Sequence, residues 1–255
     1  MLSRRGPIAA DRGPPGALGG AGAQRAGEGA DRTVILNFHG VGTPGRLLEP
    51  GEARWWIERG ALCSILDAVV ARRGPGAPAV QLTVDDGNAS DLDIIAPELA
   101  ARGLTATFFV LAGRLGRPGS LSTAGLQELR AQGHRIGLHG FDHKDWRRLD
   151  AVGASREFDR ARALLEGVAA AAVDECSVPF GSYSGRVLRE LASRGFAAVY
   201  TSDRGVVRGE PWLRPRNCVH RDMTSGDVDA LLAGRVTALR RLRRLWGTTR
   251  KRYLS

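Results

Sequence analysis

No apolar run in this 255-residue sequence approaches the roughly 18 residues needed to cross a bilayer. Its longest stretch of small apolar residues, 167–173, is bounded by Glu166 and Asp174. Cysteine is scarce: Cys63, Cys176 and Cys218 stand alone, form no CxxC pair and cannot all pair with one another. A disulfide framework is thereby excluded, and the three are expected to be reduced and mostly buried. The first residues, Met1-Leu2-Ser3-Arg4-Arg5-Gly6-Pro7, are basic but lead into Gly, Pro and Ala rather than an apolar segment, so they do not read as a secretory signal. A cytoplasmic protein is the resulting expectation.

What is present is an uneven charge. The formal net charge is +10, yet residues 235–255 hold seven Arg and one Lys against no acid, and between residues 33 and 234 the two signs balance. A uniformly basic nucleic-acid-binding surface does not fit that distribution, and no nucleic-acid partner is expected. Residues 1–32 hold eight Gly, three Pro and seven Ala with no apolar periodicity, the composition of a disordered leader. In residues 226–246, Val228, Leu231, Leu232, Val236, Leu239, Leu242, Leu245 and Trp246 recur at helical spacing among arginines. The part before Gly234 is expected to dock on the domain. Beyond it, residues 235–255 read as a basic amphipathic segment suited to an anionic membrane surface, the inner face if the chain is cytoplasmic.

Between these ends one unit recurs. Leu92, Ile95, Ala96 and Leu99 share a helical face before Gly103, with an apolar strand at 105–110; Leu126 and Leu129 precede Gly133 and a strand at 135–138; Val187, Leu188 and Leu191 precede Gly195 and a strand at 196–200. Each glycine supplies the left-handed conformation that ends a helix. Residues 33–38 form a further buried strand ending at His39-Gly40. Such alternation predicts an α/β fold with a largely parallel sheet or barrel, and ligands at the carboxyl ends of the strands.

Two strand ends carry chemistry. After the buried run 80–84 come Asp85-Asp86-Gly87. Adjacent carboxylates on an extended chain point to opposite sides, so one reaches a metal only where the strand has broken into a turn, which Gly87 permits. The plainer reading is a turn that caps a helix beginning near Asp91. After the strand at 135–138 comes His139-Gly140-Phe141-Asp142-His143, whose two imidazoles can meet across one helical turn. With Asp86 they make a set of two neutral nitrogens and one carboxylate with open positions for water and substrate, which outweighs the turn-only reading.

Together with Val178-Pro179-Phe180-Gly181-Ser182-Tyr183, these segments resemble the three ordered signatures of the polysaccharide deacetylase (NodB-homology) family, over about residues 33–222. The resemblance implies a distorted, incomplete (β/α) barrel with a divalent metal at its mouth and hydrolysis of N-acetyl groups on amino sugars, the substrate being an N-acetylated saccharide or glycolipid. It implies that Asp85 is the general base and that Asp86, His139 and His143 are the metal ligands. Zinc is the default, although the donors also suit nickel, cobalt or iron. In this scheme the metal acidifies water and polarises the acetyl carbonyl while Asp85 takes the proton. A backbone N–H near Phe180, in the Pro179-Phe180-Gly181 turn, would meet the oxyanion.

Amine departure requires an acid. His39, at the end of the first strand, is our choice, and branches of the family that act in exopolysaccharide synthesis are similar in placing a histidine there; His220 is the alternative, and His134 is expected to be structural. Two departures from the family pattern stand out. Ser177 occupies the position of an Arg that pairs with the catalytic Asp, leaving Asp85 without that partner, and the usual C-terminal strand bearing a histidine acid is missing. Among aromatic residues, Phe180 and Tyr183 are placed beside the pocket as sugar-stacking candidates with Pro179 and Gly181; Trp146 is a further candidate, and Trp55 and Trp56 are expected to pack at a helix entry. The competing readings are a saccharide-binding relative that keeps the metal site without turnover, and an iron oxygenase, which the absence of an HxD segment disfavours.

Overall fold

The computed structural model describes residues 32–235. The readings made for 1–31 and for 236–255 lie outside the described residues. Among the described residues, eight of nine strands follow one another in a single path, and all strand pairings but one are parallel. β1 (Arg32–Phe38), β2 (Ala79–Asp86), β3 (Thr107–Val110), β4 (Arg135–Leu138), β5 (Glu175–Ser177) and β6 (Ala198–Thr201) lie side by side in chain order, and β7 (Val206–Arg208) runs antiparallel along the free edge of β1.

The sheet comes close to closing through one short segment. β8 (Leu213–Pro215) pairs with β6, and two residues later β9 (Asn217–Cys218) pairs with β1. The residue between them, Arg216, sits at the seam where the chain steps from the last edge to the first; its N–H donates to Thr201 O at 2.8 Å. The expected distorted, incomplete (β/α) barrel is what the chain forms.

Helices cover the outside: α1 (Arg59–Ala71), α2 (Ala96–Ala100), α3 (Thr123–Ala131), α4 (Ala151–Ala154), α5 (Ala161–Ala169), α6 (Gly185–Ser193) and α7 (Ser225–Leu232). A π-helical turn, Asp91–Ile95, leads into α2. Gly103, Gly133 and Gly195 all have positive φ at the helix ends where the sequence placed them. α7 is held by a capping box between Thr224 and Asp227 and buries Val228 and Leu232, so the segment before Gly234 docks as expected. No helix among the described residues is long and apolar enough to cross a membrane.

Alternation along the strands divides the interior in two. On β1, Val34, Leu36 and Phe38 face the main core under the helices, while Ile35 joins Phe109, Ala198, Tyr200 and Val207 in a small separate cluster on the other side of the sheet. Phe109 crosses this space and packs onto β4 at Gly137, where a Cβ would stand 2.4 Å from its ring. Toward the strands' carboxyl ends the same inner face turns polar, with Asn37, Thr83, Asp85, His139, Ser177 and Arg216 all buried. That placement of polar side chains builds the site.

Candidate active site

Asp85 and Asp86 both belong to β2, but Asp86 has φ 84°, so the strand breaks at Asp86 itself, one residue before Gly87. This left-handed step lets two consecutive carboxylates serve neighbouring positions. His143, at φ 56°, and Phe180, at φ 57°, are strained in the same way. Three of the five non-glycine residues with positive φ among the described residues therefore stand at this site, a concentration typical of functional loops. The histidine segment does not form the helical turn expected of it. It is an irregular loop with ring centroids 5.4 Å apart, in which Glu157 accepts from the N–H groups of Phe141 at 2.9 Å and Asp142 at 2.8 Å.

The nitrogens of both histidines can be assigned from their partners. His139 Nδ1 lies 2.9 Å from Ser177 O, which can only accept, so Nδ1 carries the hydrogen and Nε2 the lone pair. His143 Nδ1 lies 2.9 Å from Glu49 Oε2, with the same consequence. Burial pushes the His139 imidazole down to about 4 even though Asp85 and Asp86 pull it upward, so its contacts with the two carboxylates are not ion pairs at neutral pH. Asp86 Oδ1 is buried without a hydrogen-bond donor among the described residues, 3.5 Å from His139 Nε2 and 3.8 Å from His143 Nε2. Three lone pairs thus face one another, with ligand atoms within 4.8 Å and no donor among them. A cation relieves that arrangement, and the donor set of two imidazoles and one carboxylate suits a divalent metal. Glu49, itself paired with Arg114, would act as the carboxylate that orients a ligating histidine.

Asp85 has the partner that Ser177 cannot provide. Both terminal nitrogens of the Arg216 guanidinium donate to it, Nη1 to Oδ1 and Nη2 to Oδ2, each at 2.7 Å. Asn37 Nδ2 at 3.1 Å and Ser177 Oγ at 3.3 Å complete the shell, and Arg216 Nη2 also donates to Ser177 Oγ at 2.5 Å. The expectation of an unpaired Asp85 is therefore corrected: the cation arrives from the seam, 39 residues after the position where it was sought. Burial alone would push this carboxyl up, but Arg216, aided by His139, holds it well below the usual carboxylate range. Local pattern in Arg214-Pro215-Arg216 does not mark either arginine as buried. The available signal was the acid itself, since a buried carboxylate demands a cation from somewhere.

His39 and His220 are separated by Trp55. His39 lines a cavity of about 310 Å³ together with Asp85, Asp86, His139, His143 and Phe180; His220 lines a smaller neighbouring one with Trp56 and Ile57. His134 is structural as expected, its Nδ1 accepting from Ala106 N at 3.3 Å. The aromatic assignments need revision. Phe180 is 60% exposed at the cavity wall and packs on His143 with centroids 4.2 Å apart. Tyr183 is fully buried and donates its hydroxyl to Asp203 Oδ2 at 2.6 Å, so it is a core anchor and no sugar platform; Pro179 and Gly181 are buried in the turn as well. Trp146 is core, edge-on to Phe158. Of the tryptophan pair, only Trp56 packs as expected, its ring lying where a Cβ on Gly40 would intrude, whereas Trp55 is half-buried and lines the cavity. Cys176 is buried, but Cys63 and Cys218 are partly exposed, and Cys218 also lines the cavity.

Behind Asp86 lies Asp91, fully buried, with neither carboxyl oxygen hydrogen-bonded among the described residues. Burial, reinforced by the charge of Asp86, raises its pKa well above the usual value. A raised folded-state value means that stability is lost as pH rises from the unfolded carboxyl range through the folded one. Asp91→Asn, which keeps the shape and stays neutral, is expected to raise the melting temperature at pH 7–8 and leave it nearly unchanged near pH 4, as thermal denaturation across that range would show.

A family model for polysaccharide deacetylases matches residues 72–199, half of the chain, spanning the paired aspartates, both histidines and the Pro179 turn. The chain belongs to the polysaccharide deacetylase family. Among curated members of that family, a chitooligosaccharide deacetylase of Sinorhizobium fredii is 34% identical over 155 residues, 57% of this chain and 65% of that protein. The chain spans between about half and two thirds of the lengths of the curated relatives it matches. Solved structures of polysaccharide deacetylase type share the fold. IcaB from Ammonifex degensii superposes with a TM-score of 0.66 at 23% identity, covering 81% of this chain and 98% of that one. The Streptococcus pyogenes deacetylase PplD, solved in complex with acetate, gives 0.66 at 17% identity, covering 79% and 98%.

Proposed function

We propose that this chain hydrolyses the N-acetyl group of an amino-sugar-containing saccharide or glycolipid. The observation that carries this reading is the joining, in one open cavity, of a carboxylate kept ionised by Arg216 and a group of three lone pairs that calls for a divalent cation. A cation held by Asp86, His139 and His143 would supply Lewis acidity toward the acetyl carbonyl and toward water. Everything else falls to the chain's own groups. Asp85, a weak base because Arg216 stabilises its charge, accepts the proton of the attacking water, and its fixed shell of Asn37 and Ser177 keeps it from turning away. The backbone N–H of Phe180, in its strained turn, is the donor for the oxyanion. His39, across the cavity, protonates the departing amine, and Phe180, exposed at the wall, offers a face to the sugar ring.

Metal analysis of the purified protein, combined with acetate release from N-acetylglucosamine oligomers, tests the reading. About one divalent ion per chain and acetate release are expected, with both lost in Asp86→Ala. Full metal occupancy in Asp86→Ala would refute the ligand set. Bound metal without acetate from any amino sugar or glycolipid would turn the assignment toward a binding protein.

A further inference from the structure

His39 lacks what an acid histidine usually has. Its Nδ1 is buried and meets no hydrogen-bond partner among the described residues, so no carboxylate or carbonyl fixes the ring plane through that nitrogen, and Asp85, whose carboxylate does feel the charge of His39, is already engaged by Arg216. Rotation of an imidazole about χ2 is otherwise broad. What does meet the ring is Trp55, stacked on it with centroids 5.5 Å apart and planes inclined by 28°.

The indole is itself held firmly. Trp55 ends the short helical turn Glu52–Trp55, in which Glu52 is buried and paired with Arg46. The next residue, Trp56, is wedged over Gly40, and Arg54 O accepts from Arg221 N at 3.1 Å. His220 meets the edge of Trp55 at 5.9 Å, closing its far side.

We propose that Trp55 is a positioning residue for proton delivery: its π face replaces the missing carboxylate partner, fixing the His39 plane and meeting the positive charge of the acid form. This inference rests on the reading of His39 as the acid. In the step concerned, the C–N bond of the tetrahedral adduct breaks, its electron pair stays on nitrogen, and that nitrogen takes the proton from His39 Nε2, leaving a neutral imidazole and a free amine.

Two acetyl donors separate this role from others. An N-acetylglucosamine oligomer releases an amine, which must be protonated to leave; p-nitrophenyl acetate releases a phenolate, which needs no proton. Trp55→Leu is expected to lower kcat on the oligomer about tenfold, with KM shifted less than about twofold and the ester rate changed less than about twofold. Trp55→Phe, which keeps an aromatic face, should recover most of the loss. An effect confined to KM would make Trp55 a sugar platform, and equal slowing on both donors, or no slowing, would also overturn the proposal. His39→Ala decides what failed. If it slows only the oligomer while Trp55→Leu does not, the positioning role alone is wrong; if it leaves oligomer turnover intact, the acid assignment falls and the positioning role with it.

Discussion

Arg216→Met is expected to destabilise the protein by about 3–5 kcal/mol and to remove most of its turnover. Arg216 has no solvent exposure, and both its terminal nitrogens donate to Asp85, so the shorter apolar side chain leaves a buried carboxylate with hydrogen bonds only from Asn37 and Ser177. For a domain of this size the loss corresponds to a fall of roughly 6–20 °C in melting temperature. The pH dependence should change sign. In the parent protein Asp85 is held below the usual carboxylate range, so its contribution is present at neutral pH and is lost only as pH falls through that depressed value. In Arg216→Met, burial without a cation raises the same carboxyl, and the penalty grows as pH climbs past the unfolded value of about 4. Melting curves at pH 4 and pH 8 should therefore diverge between the two proteins as pH rises. A constant offset across that range would mean that Arg216 acts through packing alone.

Asp85→Asn should lower kcat for acetate release by about 10²- to 10⁴-fold, the range expected for a general base, while the divalent ion remains bound. Its amide cannot take the proton from water, yet Asp86, His139 and His143 are untouched, and metal analysis of the variant should match the parent. The same substitution strands the Arg216 charge in the interior, so a lowered melting temperature is expected as well, and kcat has to be read on the folded fraction. Undiminished acetate release from Asp85→Asn would exclude Asp85 as base. Loss of metal would instead show that its carboxylate helps to hold the ion.

The residues legible in the sequence were those whose role is written in local pattern. A strand ending in Asp85-Asp86-Gly87 or in His139 announces a barrel rim, because a buried apolar run that stops at polar residues and glycine leaves them at the carboxyl end. Spacing did not reveal how those residues reach one another. The break falls at Asp86, and the histidines meet through a loop braced by Glu157. Glu49 and Arg216 escaped notice, and Trp55 was assigned to packing rather than to the cavity, for a shared reason: each lies in a loop or in a helical turn of four residues, too short for periodicity to distinguish a buried side from an exposed one. Tyr183 misled in the opposite direction: proximity to the Pro179 turn suggested the pocket, whereas a fully buried ring with its hydroxyl on Asp203 belongs to the core.

The seam at Arg216 also sets a timetable for synthesis. β1 leaves the ribosome first of the described strands, yet its partners on one edge, β7 and β9, lie about 175–180 residues further along, and the cation for Asp85 comes 131 residues after it. At about 5–20 residues per second, a nascent chain spends on the order of ten seconds or more with that edge unpaired. During that interval the exposed strand can pair with another nascent chain. Asp85 gains its counter-charge only when the segment that bridges the two sheet edges is added, so a ribosome stalled before residue 216 would present a chain with neither that bridge nor a complete shell around Asp85.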